Sequence, residues 1–282
     1  MTSPPFSLAT SIRNSRRAAV AVLIVALWSA GMGMMFRRNA NRSEAQLLTE
    51  VALRLQPATF YYTVERDGRQ IGGASSSVDT TAATLVSEEY FVGDLPAGKS
   101  VERTSARWHT TLTRGFRLTD MSIDIARPEQ PLAINASVEQ DTSLFIAPTM
   151  RTGGHPPARY NFAPPLFTPS LAPVAFMLGG PHTIGRKQLV SVFDPTTRLV
   201  IRPELQIRAE SLFTVVDSAV PAPGGGWMDA HSDTVRAWRI EGAPNGLVGW
   251  FDAEGRLVAG QAGNLSVLRT AFEIAFRNFK AK

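Results

Sequence analysis

Beyond residue 57, apolar and polar residues alternate over most of the chain, which is the pattern of β-strands that bury one face. The clearest case is a hairpin in which TFYYTVER and RQIGGASSSV flank Asp67-Gly68, a turn favoured because Gly tolerates a positive φ. The pattern predicts a mainly β domain of antiparallel strands, built as a sandwich or as an open half-barrel. Further strands are predicted over residues 84–92, 101–113, 117–126, 132–140, 143–146, 188–193, 198–201, 204–216, 235–240, 247–251 and 256–259.

Two stretches interrupt this alternation. Residues 148–180 are rich in proline, which removes backbone donors, so we expect a long ordered loop with one helical turn around residues 173–178. Residues 221–233, PAPGGGWMDAHSD, predict a flexible excursion with Trp227 and Met228 at its tip. The apolar residues of the first stretch either plug the open end of the β domain or form a surface for a partner or for lipid: Phe162, Leu166, Phe167 and Phe176.

Helical spacing of apolar residues occurs before and after the strands. Residues 41–56 predict a short amphipathic helix, capped by Ser43 and Gln46 and stopped by Pro57. Its apolar stripe either lies on a membrane or closes one end of the β domain. Residues 265–279 predict a C-terminal helix that docks against the sheet, because apolar residues recur there at spacings of three and four.

A longer apolar stretch precedes these elements. Residues 18–36, AAVAVLIVALWSAGMGMMF, contain no charge and as a helix would reach ~28 Å, about the thickness of a bilayer's hydrocarbon core. Arginine pairs at Arg16-Arg17 and Arg37-Arg38 flank it. We therefore predict a transmembrane helix. The alternative is a cleaved export signal, but the small residues of an Ala-x-Ala cleavage site are missing after the apolar run, so a retained anchor is favoured.

These elements divide the chain into four segments. Residues 1–17 form a cytoplasmic tail, residues 18–36 the transmembrane helix, residues 37–57 a juxtamembrane linker with the amphipathic helix, and residues 58–282 a periplasmic β domain. Three arginines lie on each side of the span, so charge bias does not decide its orientation. We place the protein in the inner membrane with its large domain in the periplasm, from the resemblance described below.

The positive charge of the chain belongs to the predicted anchor. The formal net charge is +5, but residues 1–42 hold six arginines and no acid, and residues 43–282 hold 23 basic and 24 acidic residues. Basic residues beside a span suit anionic lipid headgroups. A nucleic-acid partner would need a basic face on the β domain. The near-neutral charge of residues 43–282 gives no support to such a partner, so we expect none.

Catalytic and cofactor motifs are absent from the sequence. Without cysteine, thiol catalysis, thiolate metal sites and disulfides are excluded, and no serine-nucleophile, zinc-protease, haem or phosphate-loop motif occurs. Asp229, His231 and Asp233 alternate within one predicted loop and could meet a divalent metal, although such residues are more often only solvated. Glu88 and Glu89 are adjacent on a strand and point to opposite faces, so they cannot act as one acid–base couple. We expect no enzyme activity, no metal and no cofactor.

Several strings resemble one family. YYTVERDGRQIGG near the start, FTPSLAP and VFDPTT in the middle, and RAWRIEG followed by GWFDAEGRLV near the end resemble a β-rich domain of unknown function in exported proteins of Gram-negative bacteria. That domain is often found ahead of transglutaminase-like domains. The resemblance covers roughly residues 58–270 and implies a periplasmic, antiparallel β architecture without an implied activity.

Elimination leads to two hypotheses for function. The first is a non-enzymatic accessory subunit that stabilises a multi-subunit inner-membrane complex, for example a photosynthetic reaction centre with its antenna, with other membrane subunits and the bilayer as its partners. The second is a periplasmic module that binds lipid or another apolar ligand, with residues 162–179 as its lid. For the first hypothesis the candidate partner contacts are Trp28, Phe36, Phe162, Leu166, Phe167, Phe176, Met177, Trp227 and Met228.

Overall fold

The structure is a computed structural model of the chain. It describes residues 49–50, 52–53, 55–97, 100–128, 131–147, 156–195, 197–243 and 248–277. All of them belong to the compact unit that runs from Leu48 to Lys282. The predicted cytoplasmic tail (1–17) and transmembrane helix (18–36) lie outside the described residues, together with Trp28 and Phe36. Within the described ranges, no helix combines the length and the apolar character needed to cross a membrane.

The described part of the chain is mainly β, as the alternation predicts. The strands of the first half are β1 (Ala58–Arg66), β2 (Arg69–Thr80), β3 (Thr84–Ala97), β4 (Ser100–Thr113), β5 (Leu118–Ala126), β6 (Leu132–Glu139), β7 (Ser143–Ala147), β8 (Ala158–Asn161) and β9 (Leu166–Phe167). Those of the second half are β10 (Lys187–Leu189), β11 (Ser191–Asp194), β12 (Leu199–Ile201), β13 (Glu204–Pro221), β14 (Trp227–Ala243), β15 (Val248–Phe251), β16 (Leu257–Ala262) and β17 (Leu265–Thr270).

Fourteen of these strands form one antiparallel sheet in the order β10-β13-β14-β15-β16-β17-β1-β2-β3-β4-β5-β6-β7-β8. Most neighbours in this order are consecutive in the chain, so short turns can join them. The exceptions are the pairing of β10 with β13 and that of β1 with β17. The second joins the two halves of the chain, in register from Tyr61 opposite Thr270 to Arg66 opposite Leu265. The first hairpin turns at Asp67 (φ 50°) and Gly68 (φ 76°), as its sequence predicts.

A second, three-stranded sheet has the order β12-β11-β9 and lies inside the first. Both faces of β9 are buried: Leu166 packs with Leu118 and Met121 of β5, and Phe167 packs in another core cluster. That cluster also holds side chains of β3, β4, β13 and β14. The large sheet therefore covers the small one from two sides. The β-rich content and the antiparallel large sheet agree with the predicted fold class.

A helix, α1 (Leu171–Leu178), completes the interior. It follows β9 and is buried along almost its whole length. Residues 148–180 were predicted as a loop with one helical turn, and this prediction is corrected in its described part: residues 156–180 contain β8, β9 and the two turns of α1. The physical reason is that parallel pairing with β11 makes Leu166-Phe167 a strand, a long-range contact that the proline-rich sequence does not signal.

The predicted amphipathic helix is described only at its end. Residues 49–50 and 52–53 are helical, and the helix has ended by Pro57. Ala52 and Leu55 are buried in the same core cluster as Phe116 and Phe167, whereas Leu53 is exposed. Of the two fates considered for its apolar stripe, the described residues show the one in which it packs against the β domain.

The predicted C-terminal helix over residues 265–279 is wrong in its extent. Residues 265–270 form strand β17, and the helix, α2, spans only Phe272–Ala275. The segment packs on the outer face of the sheet, where the rings of Phe272 and Phe276 contact Tyr61 at centroid distances of 5.1 and 6.3 Å. The spacing of its apolar residues fits a helix, but pairing with β1 and β16 on both sides makes residues 265–270 a strand.

The predicted excursion at residues 221–233 is also corrected. Strands β13 and β14 continue through it as one long hairpin, paired as far as Pro221 opposite Trp227. The turn falls at Gly225 and Gly226, which both have φ near +86°. Residues 229–233, DAHSD, are mostly polar and lack an apolar alternation because both faces of this part of the hairpin are exposed to solvent. Pairing between the strands, not burial, therefore defines the element.

Candidate functional site

The inner face of strands β1 to β6 presents three parallel cross-strand rows of side chains. Directly opposite residues on neighbouring strands share a face, with Cβ atoms ~4.5–5.5 Å apart. The pairing register gives the middle row as Phe60, Ser76, Glu89, Trp108, Ile123 and Ile134. The flanking rows are Ala58, Val78, Ser87, Thr110, Met121 and Ala136, and Tyr62, Ala74, Phe91, Ala106, Ile125 and Leu132.

In the row that begins at Tyr62, small residues alternate with large ones as far as Ile125. A cavity of about 430 Å³ lies over the three rows. Ala58, Ala74 and Ala106 leave room that their aromatic neighbours do not fill. The lining is almost wholly apolar outside the middle row. Apart from the row residues, the apolar residues that line the cavity include Leu55, Leu171, Val174, Phe251, Leu257 and Val267. The lining also includes the polar residues Ser75, Tyr90, Arg107, Ser170 and Arg256.

Glu89 is the only carboxyl group in the three rows. Its Oε1 accepts hydrogen bonds from Ser76 Oγ at 3.0 Å and from Ser87 Oγ at 3.2 Å. The residue as a whole keeps intermediate exposure, but protein atoms surround its carboxyl group. Burial raises the pKa of Glu89 to about 7, although hydrogen bonds from Ser76, Ser87 and Ser170 act in the opposite direction. Burial therefore favours the protonated form of this carboxyl group at pH values where an ordinary glutamate is ionised.

Trp108 is the cross-strand neighbour of Glu89 on the other side from Ser76. Its indole Nε1–H is buried, and within the described part of the chain it donates to no acceptor. A buried donor without an acceptor costs about 1–3 kcal/mol. The cross-strand register thus makes Trp108 and Glu89 direct neighbours in the middle row, with their Cβ atoms ~4.5–5.5 Å apart.

The opposite end of the middle row is closed by Phe60 and two arginines. The guanidinium carbons of Arg269 and Arg256 lie 4.2 and 4.8 Å from the centroid of the Phe60 ring. Arg269 also hydrogen-bonds to Tyr62, whose hydroxyl is buried, and this burial raises the pKa of Tyr62. Both arginines are paired with carboxylates, Arg269 with Asp252 and Arg256 with Glu254. Of the two, Arg256 lines the cavity.

Helix α1 forms a fixed wall of the cavity. Leu171 and Val174 face the cavity, while Phe176 and Met177 are fully buried in the core. The turn after β15 lies against the helix backbone so closely that a Cβ on Gly255 would come within 2.4 Å of Val174 Cα. Packing on both sides leaves α1 no free face, so it does not have the features of the lid considered for residues 162–179.

The predicted partner contacts of the proline-rich stretch lie inside the domain. Leu166, Phe167, Phe176 and Met177 are at most 2% exposed, and Phe162 packs partly buried against the same core as Leu166. Four of these side chains are therefore unavailable to a partner, which corrects their assignment as a contact surface. Their burial corresponds to the other interpretation, in which the stretch plugs the β domain.

The predicted contacts on the β13–β14 hairpin have the opposite character. Trp227 and Met228 are 37% and 49% exposed and stand at the end of β14 beside the turn. Leu212 and Val220 of β13 are also exposed large hydrophobic residues. A role of this hairpin in partner binding remains a prediction.

The metal candidates meet in a different combination from the predicted one. His231 Nε2 lies 3.2 Å from Asp233 Oδ1, but the third residue of the cluster is Asp217 of β13, not Asp229. Partial desolvation of its carboxyl group and a hydrogen bond with Asp233 raise the pKa of Asp217. The sequence does not indicate Asp217, because only the hairpin register brings β13 and β14 together there. All three residues are exposed, and exposed acidic groups commonly cluster without a metal, so the cluster supports no metal site.

The placement of Glu88 and Glu89 on opposite faces is confirmed. Glu88 points outward and lies 3.4 Å from His109 Nδ1, whereas Glu89 points into the cavity. No motif in the sequence marks Glu89 as a site residue. A signal was present, because strand alternation groups Glu89 with Leu85, Ser87 and Phe91, and an acid within an otherwise inward-facing set is unusual.

Comparisons with known proteins concern the fold alone. No family model matches the chain, and no curated protein matches it. A solved structure with a similar fold is the crystal structure of a beta-barrel-like protein of the domain of unknown function DUF1849 from Brucella abortus. The two are 10% identical, with a TM-score of 0.48 over 77% of this chain and 96% of that one. A β-rich domain is the shared feature, and no link to transglutaminase-like domains is shown.

Proposed function

We propose that the β domain binds an apolar ligand in the cavity between its sheet and helix α1. The observation that carries this proposal is the apolar cavity of about 430 Å³. Protein interiors are close-packed, and voids larger than a water molecule are few. This volume instead falls in the range of ~300–1,000 Å³ that is typical of small-molecule sites.

The chemistry of the lining supports the same class of ligand. Apolar side chains surround most of the space, and one carboxyl group, that of Glu89, stands in the middle row. Binding sites for small molecules commonly combine such a lining with a few placed polar groups. The cavity brings together no nucleophile, general base and oxyanion donor, so the proposal is of binding and not of catalysis.

Photochemical cross-linking tests the proposal on the full chain. The purified protein is incubated with a dodecyl chain that carries a diazirine, irradiated and digested, and the labelled residues are identified by mass spectrometry. We expect labels on inner-face residues of β1 to β4, such as Phe60, Val78 and Phe91. Labels confined to residues 18–36 or to the outer face of the sheet would overturn the proposal.

A matched pair of variants makes this test specific. Ala74→Phe places a ring in the cavity, and Ala133→Phe places the same ring on the opposite face of β6, away from it. We expect Ala74→Phe to lose the cavity labels and Ala133→Phe to keep them. Ala106→Phe, which fills the same space from β4, provides a second variant in case the first does not fold. Equal labelling of all variants would contradict binding in the cavity.

We also propose the accessory-subunit role as a second function, because the β13–β14 hairpin extends exposed apolar residues into solvent. In this proposal the chain is anchored in the inner membrane and the hairpin contacts another subunit of a complex, with an energy-transducing complex as one such host. Trp227→Ser with Met228→Ser should reduce the partners recovered from mildly solubilised membranes. Leu199→Ser, at an exposed residue elsewhere, should not. Recovery of the unaltered protein alone would contradict this role.

A further inference from the structure

We infer that Phe91 closes one end of the cavity and thereby limits the ligand to a single alkyl chain of medium length. This inference rests on the proposed binding function and adds the size class of the ligand. It depends on where the lining stops along the strands and on what the Phe91 ring covers.

The lining stops at the row that contains Phe91. Five residues of this row line the cavity: Tyr62, Ala74, Phe91, Ala106 and Ile125. The next row along the strands contributes nothing to the lining, and it consists of Val64, Gly72, Gly93 and Thr104. These four residues are all buried, so the cavity ends at this row inside the domain.

The Phe91 ring lies against the two glycines of that next row, which are directly opposite each other. A Cβ built on Gly72 would come within 2.7 Å of Phe91 Cε2, and one built on Gly93 within 2.6 Å of Phe91 Cζ. Non-bonded carbon atoms stay ~3.5–4.0 Å apart, so the ring can take this position only where both residues lack a side chain. Glycine in a strand interior commonly marks such a close approach.

The end of the cavity therefore depends on one side chain. The atoms nearest to the glycines are at the far end of the ring, so the side chain extends from its own row toward the next one. Because Gly72 and Gly93 have no side chains, removal of the ring would join the space over them to the cavity. Phe91 is in this sense the residue that determines the specificity for ligand length.

The volume of the cavity sets the expected limit. At roughly 30 Å³ for each non-hydrogen atom, a share close to that of water in the liquid, about 430 Å³ holds on the order of 14 such atoms. Dodecanol and tetradecanol have about this size, whereas hexadecanol and octadecanol exceed it. A chain that exceeds the limit leaves its last methylene groups in water, where they add nothing to the affinity.

Competition by straight-chain alcohols against the photoreactive dodecyl chain tests the inference on the full chain. Each buried methylene group improves binding about fourfold. We expect the competition to improve by this factor for each added carbon from octanol to near tetradecanol, and then to level off through octadecanol. A continued rise to octadecanol in the unaltered protein would contradict the length limit.

Variants of Phe91 move the limit. Phe91→Ala removes six ring carbons, so the competition should continue to improve as far as octadecanol. Phe91→Leu, a milder change in case the first variant does not fold, should extend the rise to near hexadecanol. The control is Phe145→Ala, which removes a half-buried ring outside the lining and should leave the limit unchanged. The glycines are left unaltered, because a Cβ there would also lie 2.8 Å from Val92 O or 2.7 Å from Ile71 O.

The position of the label separates this effect from a general loosening of the fold. An octadecyl chain with a diazirine at its terminal carbon should label Gly72, Gly93 or Thr104 in Phe91→Ala and none of them in the unaltered protein. If the dodecyl chain labels the cavity but the Phe91 variants keep the original limit, the length inference is wrong and the binding function stands. If no label enters the cavity of the unaltered protein, the binding function itself fails.

Discussion

Arg269 of β17 and Asp252, in the turn after β15, form a buried ion pair in which Arg269 Nη2 donates to Asp252 Oδ2 at 2.8 Å. Their side chains are only 7% and 16% exposed. Asp252 Oδ1 also accepts from the backbone N–H groups of Glu254 and Arg256. The same arginine stacks on Phe60, so the pair joins the β15–β16 turn to the wall of the cavity.

Removing one partner of this pair should destabilise the fold strongly. Arg269→Met leaves the carboxylate of Asp252 buried without its cation, and such a loss typically costs about 3–5 kcal/mol. Arg117→Met is the matched control, because Arg117 pairs with Asp141 at 2.9 Å on the exposed surface, where a pair is worth about 0–1 kcal/mol. Chemical denaturation of both variants measures the difference. Similar losses in the two would contradict the role of burial.

Stability should fall as pH rises through the range in which Glu89 ionises. The pKa rises from an ordinary 4.5 to about 7 on folding, so between these values the folded state binds more protons than the unfolded state. The free energy of unfolding then decreases with rising pH, by at most about 3 kcal/mol, and levels off above pH 7.

Glu89→Gln tests this dependence, because it removes the ionising group and keeps the shape of the side chain. We expect the variant to be more stable than the unaltered chain at pH 8 and to show little difference at pH 4. Denaturation at both pH values gives the two free energies. Glu88→Gln, on the exposed face of the same strand, should change stability by no more than about 0.5 kcal/mol at either pH. An equal effect of both variants would speak against a buried Glu89.

Gly255 should tolerate no side chain. Its φ is +77°, and an added Cβ would lie 2.4 Å from Pro173 O and from Val174 Cα, both backbone atoms of α1. Gly255→Ala should therefore add a steric cost of about 1–3 kcal/mol to the conformational cost of about 1–2 kcal/mol. Gly225→Ala has the same kind of φ, +86°, with nothing within 4 Å, and should show the conformational cost alone. Thermal unfolding of the two variants separates the contributions.

Phe176 should behave as a core residue and not as a partner contact. It is fully buried, and Phe176→Ala should cost about 3–5 kcal/mol because it leaves a large cavity. Phe272→Ala removes the same ring at a position that is 52% exposed and should cost about 1 kcal/mol. Chemical denaturation measures both. A Phe176→Ala chain of unaltered stability would return this residue to the set of partner contacts.

Local signals predicted the strands well where each strand has one buried face. The hairpin around Asp67-Gly68 is the best example, because the turn conformation and the alternation on both sides lie within one short stretch of sequence. The same reasoning failed for residues 265–270. Their apolar spacing fits a helix, and only the hydrogen bonds offered by β1 and β16 make them a strand.

Local signals could not predict the proposed binding site. Alternation alone places Glu89 on the inward face of its strand, but its partners Ser76 and Trp108 come from two other strands, and their register is set by pairing along the whole sheet. The absence of catalytic motifs led to the lipid-binding hypothesis only by elimination. Whether small residues such as Ala74 and Ala106 leave an empty space depends on what packs over them.

By itself, the sequence determined the class of the domain, because the period of two in its apolar residues dictates strands that bury one face, and short turns dictate antiparallel neighbours. Only the tertiary structure decided which residues meet. Three features depend on contacts between residues far apart in the chain: the pairing of β1 with β17, the packing of the small sheet against the large one, and the cavity over Glu89. Local sequence patterns do not predict such contacts, because their free energy comes from residues outside the local stretch.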